Sequence, residues 1–157
     1  MVKSSSRKRH SSLSSARIAG ADYQGAVRDK LEAMGRILVI GSANIDLVFR
    51  LGRSPRPGET VFGSSFATFP GGKGSNQAVA AAKLGADVSL VAKLGEDAFA
   101  DVLRASLQEA RVRLDAVGTA PTSTGTAGIL VDEYGQNSIV AVPGANDHVS
   151  VSDVCSA

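Results

Sequence analysis

The residues of this chain best suited to chemistry cluster in two short stretches. One is Asn44-Ile45-Asp46; the other is Pro70-Gly71-Gly72-Lys73-Gly74-Ser75-Asn76. A carboxylate accepts hydrogen bonds only and can take two hydroxyl hydrogens at once, while an amide adds one donor and one acceptor group. Adjacent hydroxyls of a free sugar present the complement of such a set. Glycines at 71, 72 and 74 would let the main chain lie directly against a ligand. A single mobile cation, Lys73, is poor provision for a phosphate. The spacing also excludes a nucleotide-binding P-loop. That motif places a glycine five residues before the Gly-Lys pair and a Ser or Thr after it, but Ala67 and Gly74 stand there. The dinucleotide fingerprint Gly-x-Gly-x-x-Gly is missing after the first apolar run, which continues Gly41-Ser42-Ala43-Asn44.

Each of these residues also has a plain structural reading. Asp46 can anchor a turn, Asn44 can form an Asx-turn, and Lys73 can simply be solvated. Ser75 or Asn76 can cap the helix that follows the glycine loop.

The elements that must position these groups follow from periodicity. Ile37–Ile40 is an unbroken apolar run, which suits a central parallel strand buried on both faces. From Asn44 to Leu51 the pattern alternates. Leu47, Phe49 and Leu51 share one side; Asn44, Asp46, Val48 and Arg50 share the other. Pro55, Pro57 and Gly58 punctuate a loop, and Thr60–Phe62 and Ser65–Phe69 read as short strands of an antiparallel flap. Ser75 to Leu84 reads as a helix closed by Gly85, and Val88–Ala92 as a strand. Asp97 begins a second helix, with Phe99, Val102, Leu103 and Leu107 as its apolar stripe; Glu96 and Asp97 suit its start through the helix dipole. Thr124–Val131 and Ser138–Val142 read as a hairpin, and Ser150–Asp153 as the start of another helix. Strand and helix in alternation predict an α/β sheet covered by helices.

Several motifs together carry a family resemblance. Gly71-Gly72-Lys73-Gly74-Ser75-Asn76-Gln77-Ala78, followed by Gly85 and Gly95, resembles the first signature of the ribokinase-like (phosphofructokinase-B) sugar kinases. Gly41-Ser42-Ala43-Asn44-Ile45-Asp46, Pro57-Gly58-Glu59-Thr60, Ser123-Thr124-Gly125-Thr126-Ala127 and Pro143-Gly144-Ala145-Asn146 are similar to that family in the same order. The resemblance implies a mostly parallel sheet with helices on both faces and a small antiparallel β lid. It implies sugar contacts at Asn44, Ile45, Asp46, Gly72, Lys73, Gly74, Ser75 and Asn76. It further implies ATP as phosphoryl donor, with Mg2+ and a monovalent cation (K+), and a homodimer formed through the lid strands. Within the family the two site motifs favour ribose; fructokinases, nucleoside kinases and keto-deoxy-sugar kinases are alternatives. A non-catalytic sugar-binding or lid-dimerising fragment is the reading from another class.

The family's catalytic base is an aspartate in a later glycine-rich motif, which is expected beyond Ala157. His10 lies in a basic N-terminal stretch and His148 in a polar turn, so both are poor substitutes. No metal-ligand cluster is expected. With Ser150–Asp153 opening a helix only a turn before Ala157, the sequence reads as the N-terminal part of a longer protein.

Composition sets the remaining bounds. The 157 residues are 43% hydrophobic and 20% charged, as in an ordinary globular domain. No apolar run approaches the length of a membrane span. The single cysteine, Cys155, fits a reducing compartment, so a cytoplasmic protein is expected. Residues 1–33 carry seven Lys/Arg and three Asp/Glu, a net +4 in a chain of net +2, so residues 34–157 carry −2. The basicity therefore gives no nucleic-acid surface on the folded part. Residues 1–33 are expected to be a disordered, serine-rich tail, with residues 34–157 as the kinase portion. Met34 is a candidate alternative start; an organelle transit peptide is the competing reading of the tail. Limited proteolysis tests this division. Trimming should stop near residue 34, and a tail as resistant as the rest would refute it.

Overall fold

The structure, a computed structural model, describes residues 35–157. The expectations for residues 1–33, and for Met34 as a start, lie outside the described residues. Seven strands form two sheets. The body sheet has β1 (Ile37–Ile40), β4 (Val88–Leu94) and β5 (Val117–Thr119) in the order β1-β4-β5, all parallel. The second sheet has β2 (Asn44–Leu51), β3 (Gly63–Gly71), β6 (Gly125–Val131) and β7 (Asn137–Val142) in the order β3-β2-β6-β7. Helices α1 (Lys73–Lys83) and α2 (Ala98–Glu109) connect the parallel strands. A 3-10 turn at Gly144–His148 and the short α3 (Val151–Cys155) end the chain. The α/β architecture expected from the alternation is therefore present. Among the described residues no helix is long and apolar enough to cross a membrane.

The two crossovers explain how the core is divided. Parallel connections are right-handed, and β1 to β4 to β5 steps in one direction, so α1 and α2 land on the same face. One cluster accordingly joins Val39, Val88, Leu90 and Ala92 to Ala78 of α1 and Leu103 and Leu107 of α2. On the other face α3 is held by an ion pair between Lys93 and Asp153, 2.8 Å. This corrects the reading of β1 as buried on both faces: Leu38 is 43% and Ile40 52% exposed. The apolar run at 37–40 marks a strand, but Leu38 and Ile40 stand on the face opposite α1 and α2, outside the core cluster.

The second sheet also differs from the expected flap. Thr60–Phe62 is not a strand. Glu59 takes a forked pair of bonds from Arg53 and a third from the Arg56 N–H, 2.9 Å, which holds the segment as a closed loop. These bonds hold the Glu59 carboxyl down at about 2. β3 instead runs longer than expected, through Pro70 to Gly71. The hairpin β6–β7 forms as expected, closed by Asp132, whose Oδ1 accepts from the Tyr134 and Gln136 N–H groups. It does not stand apart, because β6 pairs with β2 in parallel, Asn44 opposite Gly125 and Asp46 opposite Ala127. The lid is thus a mixed four-stranded sheet. Three-residue β5 carried no sequence signal of its own.

One carboxylate ties the body to the lid. Asp97 caps α2 by accepting from the Ala100 N–H (3.1 Å), as its place before the helix suggested. It also accepts from the N–H and the hydroxyl of Thr124, both at 2.7 Å, directly before β6. The fully buried Thr124 hydroxyl in turn accepts from the Gly95 N–H, 3.0 Å. Desolvation pushes the Asp97 carboxyl up, but these hydrogen bonds outweigh it and leave the carboxyl below its ordinary value. A depressed carboxyl stabilises the fold above its unfolded pKa and loses that effect as pH falls through the folded value. Asp97→Ala removes a cap and two charge-assisted bonds, so unfolding should cost about 2–4 kcal/mol less at neutral pH. The gap should narrow well below the ordinary carboxylate pKa of about 3.9. Denaturant melts at both pH values check this. A neutral-pH difference under about 1 kcal/mol would remove Asp97 as the tie.

Candidate functional site

The site is built where α1 begins. Its first turn lies on the turn between β1 and β2 more closely than side chains would permit. A Cβ on Gly74 would sit 2.5 Å from the Gly41 carbonyl carbon, and one on Gly72 2.6 Å from the Ser42 oxygen. Gly72 also has φ +91°, a conformation that glycine alone adopts without strain. Contact at this range lets Ser42 serve the helix from outside. Its hydroxyl accepts from the Lys73 N–H, 3.2 Å, and its carbonyl from the Ser75 N–H, 3.0 Å. These are two of the donors that a helix start leaves unpaired.

This arrangement corrects two expectations. The helix begins at Lys73 with Gly72 in the cap position and no side-chain cap, so neither Ser75 nor Asn76 caps it. Ser75 is 3% exposed within the first turn. The loop also offers a ligand fewer N–H donors than its glycine content suggested, because Ser42 occupies two. Gly85, with φ +95°, follows the helix end as expected.

β2 divides its residues between two faces. Ile45, 1% exposed, belongs to the core cluster. Its side chain cannot line an open site, because alternation along the strand sends it opposite to Asn44 and Asp46. This removes Ile45 from the candidate side-chain contacts. Asp46 lies on the open face, half-buried, and its carboxylate rests on the α-carbon of Gly71. A Cβ at Gly71 would come within 2.6 Å of the Asp46 Cγ and 2.7 Å of Oδ1. Among the described residues Asp46 has no hydrogen-bond or ion-pair partner, which excludes its reading as a turn anchor. Burial pushes its carboxyl above the ordinary value. Lys73 and Asn76 are exposed at the start of α1, Gly74 is buried, and Gly72 is half-buried.

Asn44 has a partner that the sequence did not reveal. Its Oδ1 accepts from Asn146 Nδ2, 2.8 Å, across 102 residues. Asn146 also accepts from the Ala43 N–H at 2.9 Å and donates to the Pro143 carbonyl at 2.8 Å. The only sequence signal for Asn146 was its place at the end of Pro143-Gly144-Ala145-Asn146. For Ser42 the signal was its place in Gly41-Ser42-Ala43-Asn44-Ile45-Asp46.

The open face of β2 therefore carries an acceptor, Asp46, together with the Asn44 amide, while Lys73 and Asn76 stand exposed in the first turn of α1. Acceptor and amide groups of this kind are chemically complementary to hydroxyls. A metal is another matter: among the described residues no three His, Cys, Asp or Glu side chains are grouped to hold one.

The unpaired Asp46 has a consequence for stability. A carboxyl whose folded pKa is raised favours the fold below its unfolded pKa, and that contribution is lost as pH rises through the folded value. At neutral pH the ionised, desolvated group is then a net cost. Asp46→Asn should leave Tm unchanged or raised at pH 7, with the difference closing below about 3.9, the ordinary carboxylate pKa. Melting curves across that range check it. A variant several degrees less stable at pH 7 would mean that Asp46 holds the fold rather than waits for a ligand.

Comparisons with known proteins identify the family. The chain is 49% identical over 118 residues to a ribokinase of Bacillus subtilis (strain 168), covering 74% of this chain and 40% of that protein. A deoxyribokinase of Salmonella typhi is 41% identical over 119 residues, 75% of this chain and 39% of that protein. Among solved structures, the ribokinase of Arabidopsis thaliana complexed with ribose and ATP is 40% identical with a TM-score of 0.64, covering 69% of this chain and 36% of that one. The chain thus spans about two-fifths of the length of the relatives it matches. Residues 34–155 match the family described as pfkB family carbohydrate kinase. With a match over most of its length, beginning just before β1 and taking in both site motifs, this chain belongs to the pfkB family of carbohydrate kinases.

Proposed function

We propose that this chain carries the sugar-binding portion of a carbohydrate kinase, and that its sugar is ribose. The observation that carries the reading is the unpaired, half-buried Asp46 carboxylate resting on Gly71. Removing a carboxylate from water without a partner is unfavourable. Two sugar hydroxyls donating to it would repay that cost, with Asn44, Lys73 and Asn76 meeting the remaining oxygens. Gly72 and Gly74 contribute through their missing side chains, and Ser75 through its fixed place in the first turn of α1.

The proposed reaction is transfer of the ATP γ-phosphate to the ribose 5-hydroxyl. Closure of the lid over the sugar would exclude water during transfer. This chain's residues would bind and orient the sugar. ATP, Mg2+ and K+, together with the base that takes the hydroxyl proton, would be held by sequence corresponding to the remainder of the relatives' length. A deoxyribokinase among the relatives makes 2-deoxyribose the first competitor to measure; fructose and nucleosides follow. A cytoplasmic location fits the single free thiol.

We further propose a homodimer formed through the lid. Phe49 and Phe66 stack with ring centroids 4.8 Å apart on the lid face opposite Asp46. Phe66 is 57%, Val142 50% and Val140 72% exposed, and the register places all three on that face beside Phe49. A contiguous apolar face of this kind supports a partner surface.

Calorimetric titration of the 157-residue chain with ribose tests the sugar assignment. Hydrogen bonds to charged groups contribute about 1.5–3 kcal/mol, so Asp46→Asn should weaken binding by about 10- to 100-fold. Unchanged affinity in that variant would sink the assignment. In a coupled ATP-consumption assay the chain alone should show no ribose-dependent turnover. Turnover above a boiled control would place the transfer machinery within this chain and overturn the division proposed here.

A further inference from the structure

Asn146 lies outside the two site motifs, yet its amide is held by groups that cannot exchange roles. The Ala43 N–H can only donate, and it donates to Asn146 Oδ1 at 2.9 Å. The Pro143 carbonyl can only accept, and it accepts from Asn146 Nδ2 at 2.8 Å. The orientation of the Asn146 amide is therefore dictated by main chain on both sides. What it turns toward Asn44 must be a donor. Asn44 meets it with Oδ1 at 2.8 Å, so the Asn44 Nδ2 group points away. Among the described residues nothing accepts from that Nδ2. It belongs to the same face of β2 as the unpaired Asp46.

Gly125 makes room for this arrangement. It stands opposite Asn44 in the parallel pair β2–β6. A Cβ there would collide with Asn146 Nδ2 and lie 2.5 Å from Asn44 Oδ1 and 2.8 Å from the Pro143 carbonyl oxygen. Two separate features, an amide with fixed polarity and a glycine with no room for a methyl group, thus preserve one hydrogen bond.

We propose that Asn146 is a positioning residue that sets the polarity of the sugar site. By claiming the Asn44 oxygen, it makes Asn44 present a donor beside the acceptor Asp46. This face of β2 then presents a donor–acceptor pair rather than two acceptors. It would take a sugar in which one oxygen accepts from Asn44 while a hydroxyl nearby donates to Asp46. This rests on the sugar-binding reading above, but the polarity itself does not.

Side-chain amide NMR of the 15N-labelled chain separates the two. The signals are assigned by single substitution of Asn44 and Asn146. Both Asn146 Nδ2 protons are engaged and should exchange slowly with solvent; those of Asn44 should exchange freely. Added ribose should shift the Asn44 amide signals and leave those of Asn146 in place. Well below the melting temperature, Asn146→Ala and Gly125→Ala should each lose that shift. Each should also bind ribose roughly tenfold more weakly, the equivalent of about 1.4 kcal/mol. A purely structural Asn146 gives a lower Tm while the folded variant binds ribose with wild-type affinity; that result overturns the proposal, as does a protected Asn44 amide beside a freely exchanging Asn146. If the wild-type chain binds no ribose, the sugar reading falls, and the exchange rates alone decide the polarity: slow at Asn146 and fast at Asn44 upholds it, the reverse overturns it.

Discussion

Everything at this site depends on how closely the start of α1 approaches the turn between β1 and β2. Gly74 meets Gly41, and Gly72 meets Ser42, at distances that leave no volume for a Cβ. Backbone contact at that range lets Ser42 serve two of the helix's unpaired N–H groups. It also places Gly71 under the Asp46 carboxylate, at the point where β3 passes into α1. A side chain at Gly72 or Gly74 would push the start of α1 away from the turn between β1 and β2. The glycines matter here for their absent volume, and at Gly72 for a positive φ as well.

A second constraint joins the lid to the body. The Asp97 carboxylate binds the first turn of α2 and the entry to β6 together, and Asn146 binds the 3-10 turn to the entry of β2. Both ties fall at the base of the lid strands. The candidate sugar-contact groups Asn44 and Asp46 lie on β2 close to these ties. They are therefore held by the body while the rest of the lid extends beyond it.

Much of this was legible in the residues themselves. Alternation from Asn44 to Leu51 placed Asn44 and Asp46 together, and the strand does so. Gly85 marked the end of α1, and Asp97 the start of α2. The strands read at Thr124–Val131 and Ser138–Val142 pair as the expected hairpin. Other features were hidden because local pattern is indifferent to them. An apolar run such as Ile37–Ile40 reports a strand but not whether both its faces are covered. Thr60–Phe62 has strand-forming side chains, yet the Arg53–Glu59 fork holds the neighbouring chain as a loop. Ser75 and Asn76 are good capping types, but Ser42 arrives from another element and the helix starts earlier. Ile45 stands inside a site motif and still turns into the core.

The sequence alone determined the kind of protein: an α/β chain whose glycine loop and Asn-x-Asp pair, in family order, mark a member of a carbohydrate-kinase family. These are properties of residue type and spacing along one segment, and they survive without knowledge of any distant contact. The tertiary structure decided what the site presents. It paired β2 with β6 in parallel, a registration that no local periodicity encodes. It left Asp46 without a partner and brought Asn146 across 102 residues to claim one end of the Asn44 amide. An asparagine is both donor and acceptor, and its sequence position cannot say which end faces outward. Only the fixed polarity of the main chain around Asn146 settles that choice.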